Sequence, residues 1–290
     1  MNDYLLSILL GVVEGLTEFL PVSSTAHIRL VLGLWDEALL KDGFWKMYTV
    51  VIQLGAILSV FVYFRKRIVE FLKSFYAEST LGAWLRHPLF LVMLAFFVTA
   101  IPSYLLSKTI KSNLESLYVM GIALVVGGVV MWVVDVIFGR REKLGRATMQ
   151  MDDMKPHQAV VVGAAQILAA VFPGTSRSMA TIAGGQLAGL SRSAALEFSF
   201  FLSMPVMLAA GLFDLRESMG APPGDAAYIE GGMTAHRWGV LAVGFVVSFI
   251  VALGVIHWFM GWVRKHGFVP FAIYRILVGI VVIVWASRAG

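Results

Sequence analysis

Six stretches of this chain, 47–64, 88–107, 116–138, 195–213, 238–260 and 269–287, each run for 18 to 23 residues with at most one Asp, Glu, Lys or Arg. A helix rising 1.5 Å per residue needs about 20 apolar residues to cross the roughly 30 Å hydrocarbon core of a bilayer. Runs of that length leave a chain few folds other than a bundle of membrane-crossing helices. Tilted β-strands would alternate apolar and polar residues, and these runs do not. Composition agrees: 14% of residues are charged, against about 25% in soluble domains.

Two further apolar stretches are interrupted. One runs over 4–20, breaks at Pro21 and resumes over 24–34; the other runs over 157–172, breaks at Pro173-Gly174 and resumes over 178–190. Each half is too short to span, so both are expected to be re-entrant helix–turn–helix pairs. Placing Pro21 on Pro173 is an offset of 152 (173 − 21), which carries 47–64, 88–107 and 116–138 onto the last three spans. One re-entrant pair plus three spans is an odd number of crossings, so the second copy enters from the opposite side. The fold expected is therefore an all-α polytopic membrane protein with six transmembrane helices and two re-entrant pairs in an inverted-topology repeat. The chain reads as a single membrane domain, 1–290, with repeat 1 at about 1–138, repeat 2 at about 157–290 and a cytoplasmic linker at 139–156.

Charge supports that topology. Lys and Arg concentrate in 65–87 (Arg65, Lys66, Arg67, Lys73, Arg86), in 139–157 (Arg140, Arg141, Lys143, Arg146, Lys155) and in 261–268 (Arg264, Lys265). The repeat puts these three on one side, which the positive-inside rule makes cytoplasmic. Both termini are then extracytoplasmic. The net charge of +5 is accounted for by these loops, so no nucleic-acid partner is expected. The absence of cysteine excludes disulfides and thiolate chemistry. The N-terminus has no basic leader, and Glu14 and Glu18 would interrupt the core of a signal peptide.

Charges in the broken segments are the candidates for chemistry, because a charge at mid-bilayer costs about 2.5–3.5 kcal/mol on the gentlest scale. Glu14 and Glu18 lie one helical turn apart on one face. Carboxylates so close call for a proton or a cation, and Mg²⁺ held by one or two carboxylates plus substrate phosphates is the ordinary arrangement. Pro21 ends that helix, and Ser23, Ser24 and Thr25 begin the next. A serine or threonine there satisfies orphan N–H groups. Three hydroxyls exceed one cap, which makes Ser24 a candidate nucleophile with His27 as base or acid. In the second segment Gly174 frees the backbone, while Thr175, Ser176, Ser178 and Thr181 supply hydroxyls and Arg177 supplies a fork for phosphate oxygens. All lie at or near a helix N-terminus, which favours anions. The alternative for Arg177 is an ion pair with Glu14 or Glu18. Arg275, near the start of its span, is expected to snorkel to the interface, and Gly127-Gly128 and Gly184-Gly185 to allow close helix packing.

With EGLTEFLPVSSTAH at 14–27, PGTSRSMAT at 173–181 and FSFFLSMP at 198–205, the chain resembles the undecaprenyl-diphosphatase family of the bacitracin-resistance type over nearly its full length. The resemblance implies hydrolysis of undecaprenyl diphosphate to undecaprenyl phosphate and inorganic phosphate in the bacterial plasma membrane. That reaction recycles the lipid carrier for peptidoglycan and other envelope polymers. A divalent cation, Mg²⁺ or Ca²⁺, is implied with it. Glu14 and Glu18 would hold the metal or move protons, Ser24 and His27 would form the attacking pair, and Ser176, Arg177 and Thr181 would grip the diphosphate. The site would open to the extracytoplasmic side. Expected partners are the polyprenyl diphosphate substrate and membrane lipids, with a homodimer as the assembly to test. Ser24 or a metal-bound water remains as the attacker. The rival reading is a secondary transporter or flippase for an anionic or phospholipid-like substrate, which would need the same binding parts but no nucleophile.

Overall fold

The computed structural model describes residues 2–78, 80–106, 116–225 and 227–289. The described elements are helices α1 (Asp3–Thr17), α2 (Ser24–Trp35), α3 (Gly43–Tyr63), α4 (Arg65–Ala77), α5 (Leu81–Trp84), α6 (Pro88–Leu105), α7 (Leu117–Lys143), α8 (Pro156–Val171), α9 (Arg177–Leu187), α10 (Arg192–Gly220), α11 (Ala235–His266) and α12 (Val269–Ala289). Among the described residues six helices, α3, α6, α7, α10, α11 and α12, are long and apolar enough to cross a membrane. They fall on the six runs read from sequence; residue 107, the expected end of the second, lies outside the described residues. The protein is thus an all-α, multi-pass membrane protein.

Local chemistry sets the ends. Asn2 caps α1 by accepting the Tyr4 N–H, and Ser116 caps α7 by accepting that of Val119. α7 continues past its apolar run to Lys143, with Arg140, Arg141 and Lys143 in its last turn. Cations there complement the partial negative charge of the helix C-terminus. Proline and glycine interrupt the short pairs where expected: α1 and α2 flank 18–23, and α8 and α9 flank 172–176. The segment 65–87, read as a loop, instead contains α4. Ile68, Phe71, Leu72 and Phe75 are spaced 3, 1 and 3 apart, the pattern of an amphipathic helix, and Phe71 is buried against Phe201 at 5.3 Å between ring centroids. Its charged face hid it from a search for apolar runs.

The chain forms two compact units. The first comprises Met1–Phe19, Ser24–Tyr63 and Ser203–His257. Its core gathers Leu6 and Leu10 of α1, Ile28 and Leu32 of α2, Trp45, Tyr48 and Ile52 of α3, and Val240 of α11. Ser7, Gly11 and Gly15 put a small residue on one face of α1 at every fourth position. A Cβ on Gly11 would come within 2.8 Å of the Gly244 carbonyl, and one on Gly15 within 2.8 Å of that of Ser248. Such backbone-to-backbone approach lets helices associate where lipid removes the hydrophobic drive. Ser7 adds an O–H donated to the Val240 carbonyl at 2.7 Å, and Ser248 one to that of Ile52 at 2.8 Å.

The second unit comprises Leu20–Ser23, Phe64–Leu202 and Trp258–Gly290. α7 and α12 meet through Gly121, Gly128 and Gly279, where a Cβ on Gly128 would lie 2.8 Å from the Ala272 carbonyl. Gly184 packs on Ala165 and Gly185 on Ala195, as the small-residue pairs suggested. Thr99 of α6 donates to the Gly163 carbonyl of α8 at 2.8 Å. Asp135, buried near the end of α7, accepts from Gln186 Nε2 (3.0 Å), Arg192 Nε (2.7 Å) and the Phe268 N–H (3.1 Å). One carboxylate therefore ties α7, α9, α10 and the start of α12.

Candidate active site

In the first unit the candidates gather at the end of α1 and the start of α2. Glu14 and Glu18 are 3% and 7% exposed, a pair of carboxylates almost wholly removed from water. Glu18 sits at the C-cap of α1, its N–H bonded to the Glu14 carbonyl at 2.9 Å. The turn brings Ser24 back against it: Ser24 Oγ donates to Glu18 Oε2 at 2.5 Å. An O–H donated to a carboxylate at this length is a strong, charge-assisted bond. Gln53 of α3 reaches the same oxygen with its Nε2 at 3.5 Å. Sequence could not say which way Gln53 faces; the structure turns it to Glu18. His27, half-buried, lies three residues beyond Ser24 on the same face of α2, whereas Thr25 is exposed. Glu18 is thus a hydrogen-bond partner of the Ser24 hydroxyl.

In the second unit the residues 20–23 and the PGTSRS segment come together. Ser178 Oγ donates to the Leu20 carbonyl at 2.9 Å and lies 3.0 Å from Ser176 Oγ, which also accepts the Met179 N–H at 3.3 Å. Ser23 and Ser176 have φ of +73° and +68°, the non-glycine residues in the left-handed region among those described. Side chains with a Cβ are strained there, and such strain concentrates where a site demands it. Each stands immediately before the second helix of its pair. Gly174, at φ +91°, is needed for a different reason as well: a Cβ would lie 2.5 Å from the Met120 carbonyl.

Arg177 opens α9 half-buried, with its Nη1 donating to the Ser199 carbonyl at 3.3 Å. Thr181 is fully buried; its hydroxyl meets Ser199 Oγ at 2.6 Å and the carbonyls of Arg177 and Ser178 at 3.0 and 3.2 Å. The hydroxyls of Ser178 and Thr181 are therefore engaged inside the protein and shape the turn. Thr175 is buried beside them. The first turn of α9 leaves the N–H groups of Arg177 and Ser178 without intrahelical acceptors, and these suit an anion. Gln166 of α8, 2% exposed, makes no side-chain hydrogen bond among the described residues. Glu197 of α10 pairs with Arg67 at 3.3 Å. His257 is exposed and meets the ring of Tyr63.

Two polar side chains that contact these turns escaped the sequence reading. Ser199, in the FSFFLS stretch, was noted for resemblance alone. Arg275 was expected to snorkel, and that expectation is corrected: it is fully buried. Its guanidinium donates to the carbonyls of Pro21 (3.0 Å), Gly174 (3.0 Å), Thr175 (2.9 Å) and Ala123 (3.3 Å). Four convergent carbonyls compensate it better than the distant interface would.

No group of three or more His, Cys, Asp or Glu residues that could hold a metal occurs among the described residues. The Glu14–Glu18 pair fits a cation that takes one or two carboxylates and completes its shell with water and phosphate oxygens, as Mg²⁺ does. It does not resemble an all-protein cage.

Residues 7–281 match the family model described as bacitracin resistance protein BacA. The chain is 56% identical to a protein named undecaprenyl-diphosphatase from Koribacter versatilis, over 99% of this chain and 100% of that one. It is 39% identical to one of the same name from a Thermoanaerobacter species (97% and 96%) and 40% identical to one from Acinetobacter baumannii (97% and 94%).

Proposed function

The chain belongs to the bacitracin resistance protein BacA family, and on that footing we propose that it hydrolyses undecaprenyl diphosphate to undecaprenyl phosphate and inorganic phosphate. The observation that carries the reading is the 2.5 Å hydrogen bond from Ser24 Oγ to Glu18. A transporter needs groups that bind an anion; it has no use for a hydroxyl polarised by a buried carboxylate. The alternative of a transporter or flippase is accordingly not favoured.

In the proposed reaction Glu18 takes the Ser24 proton as Oγ bonds to the terminal phosphorus and the bridging P–O bond breaks, releasing undecaprenyl phosphate. Water then hydrolyses the phosphoserine, with His27 moving the proton. Arg177 and the amide groups at the start of α9 are suited to stabilise charge on a phosphoryl group, the main demand of such chemistry. Gln53 holds the Glu18 carboxylate in line. Glu14 and Glu18 would hold Mg²⁺ or Ca²⁺, which when bound neutralises phosphate charge. Ser23, Thr25, Gly174, Thr175, Ser176, Ser178 and Thr181 line or shape the phosphate turns.

The finer topology is also proposed: an inverted repeat, both termini outside, and the site open to the extracytoplasmic face. Its support is that shifting α1, α2, α3, α6 and α7 by 152 residues brings their starts within five residues of α8, α9, α10, α11 and α12. Ser23 and Ser176, both at positive φ, each stand one residue before the second helix of their pair, one residue off that register.

The test is phosphate release from undecaprenyl diphosphate by detergent-purified protein, with EDTA and after Mg²⁺ or Ca²⁺ is restored, alongside Arg177→Ala. Metal-dependent release that the variant loses with its fold intact is the expected result. Absence of release from folded, lipid-supplied wild-type protein would transfer the weight to anion transport.

A further inference from the structure

Arg275 stands out among the polar groups to which no role is given above. It is a guanidinium in a membrane-crossing helix, with no water-accessible surface and, among the described residues, no ion pair. Burying a charge without a counter-charge is expensive. Its four carbonyl bonds offset part of that, yet Nε makes none. A side chain serving only to knit helices would be better replaced by an apolar one of similar volume.

What the guanidinium touches supplies the reason. Pro21 belongs to the turn that ends in Ser23, and Gly174 and Thr175 to the turn that ends in Ser176. Both turns end in a strained serine with φ near +70°, and Arg275 bonds the Pro21 carbonyl two residues before Ser23 and the Gly174 and Thr175 carbonyls before Ser176. In a trans peptide the C=O and the following N–H point in opposite directions. With the Thr175 carbonyl aimed at Arg275, the Ser176 N–H is aimed away from it. It joins those of Arg177 and Ser178 as a third amide at the start of α9. The positive charge lies one peptide behind those amides.

We propose that Arg275 is a positioning residue for phosphoryl transfer: it grips both turns by their carbonyls, presents the Ser176 amide to the phosphate, and has its own charge balanced by the bound diphosphate. The inference rests on the phosphatase reading above. Lysine keeps the charge but offers a single point in place of the planar fork, so it cannot serve carbonyls on two turns at once. A second perturbation moves the guanidinium without removing it. A Cβ on Gly127 would lie 2.5 Å from Arg275 Nη2 and 2.7 Å from Met179 Cε, both flexible ends that give way.

The experiment compares wild type, Arg275→Lys and Gly127→Ala in phosphate release, with inhibition by orthovanadate, a mimic of the five-coordinate transition state, and an unfolding midpoint in detergent. Loss of one transition-state donor lowers kcat by about 10²–10³. Arg275→Lys should therefore lose about 10–100-fold in kcat with KM changed little, and its vanadate inhibition constant should weaken in step. Gly127→Ala should move in the same direction by about tenfold, and it decides the matter if Arg275→Lys fails to fold. Arg275 as a mere structural tie predicts less active enzyme with an unchanged vanadate constant, and that result overturns the proposal. So do folded variants that match wild type. Wild-type protein that releases no phosphate overturns the phosphatase reading and this inference with it; active wild type beside unaffected variants overturns the inference alone.

Discussion

Ser24 and Glu18 stand six residues apart, at the start of α2 and the C-cap of α1, joined by one hydrogen bond of 2.5 Å between groups 6% and 7% exposed. If Glu18 serves as base for Ser24, the two act as one unit and their losses do not multiply. Removing a positioned general base lowers turnover by about 10²–10⁴, equivalent to roughly 3–5 kcal/mol of barrier. Glu18→Gln preserves shape and can still accept the Ser24 O–H, so the loss would come from the missing charge rather than from a cavity. Ser24→Ala should lose at least as much. The double variant should then fall no more than about threefold below the weaker single, since groups acting together are non-additive. The assay is single-turnover phosphate release at saturating Mg²⁺, with the unfolding midpoint confirming that each variant is folded. A double variant whose loss equals the product of the two singles would refute the dyad and give Glu18 work independent of Ser24.

Two further outcomes are expected. Asp135→Asn exchanges a carboxylate that accepts from Arg192, Gln186 and Phe268 for an amide whose NH₂ faces donors. With Arg192 about one-fifth exposed, the penalty falls near the lower end for a broken buried pair, about 3 kcal/mol. The detergent unfolding midpoint should drop while turnover of the folded protein holds, and an unmoved midpoint would contradict the tie. His87 caps α6 by accepting the Leu89 N–H at Nδ1 (3.2 Å) and contacts Ser74 Oγ through Nε2 (3.0 Å). Burial lowers its pKa from the usual 6.5, against the opposing pull of Glu78 and Asp152. The folded state thus favours the neutral ring: its contribution is complete above 6.5 and is lost as pH falls through the lowered value. The wild-type midpoint should decline over that acid window more steeply than that of His87→Asn, and parallel declines would count against the cap.

The six spans and both broken pairs were legible because lipid leaves no choice about them. A run of about 20 apolar residues must cross and form its own backbone hydrogen bonds. Proline and glycine then mark where it cannot continue. Glu14, Glu18 and Arg177 were legible for a related reason, since charge in such segments is too costly to be incidental. α4 was not, because its apolar residues recur at helical spacing without forming a run. Arg275 was misread for a deeper reason. Its spacing from the helix start suits snorkelling, and only the carbonyls of Pro21, Gly174, Thr175 and Ala123, 100 or more residues away in sequence, make burial the better course. The same holds for the choice of Glu18 as the partner of Ser24, for Gln53 turning to that carboxylate, and for Asp135 finding four elements to tie. Sequence by itself determined which segments are apolar enough to enter the membrane and which residues are candidates for chemistry, because those follow from each residue's own transfer free energy. Tertiary structure alone decided the pairing, because a hydrogen bond depends on distance and direction between groups that the chain brings together only by folding.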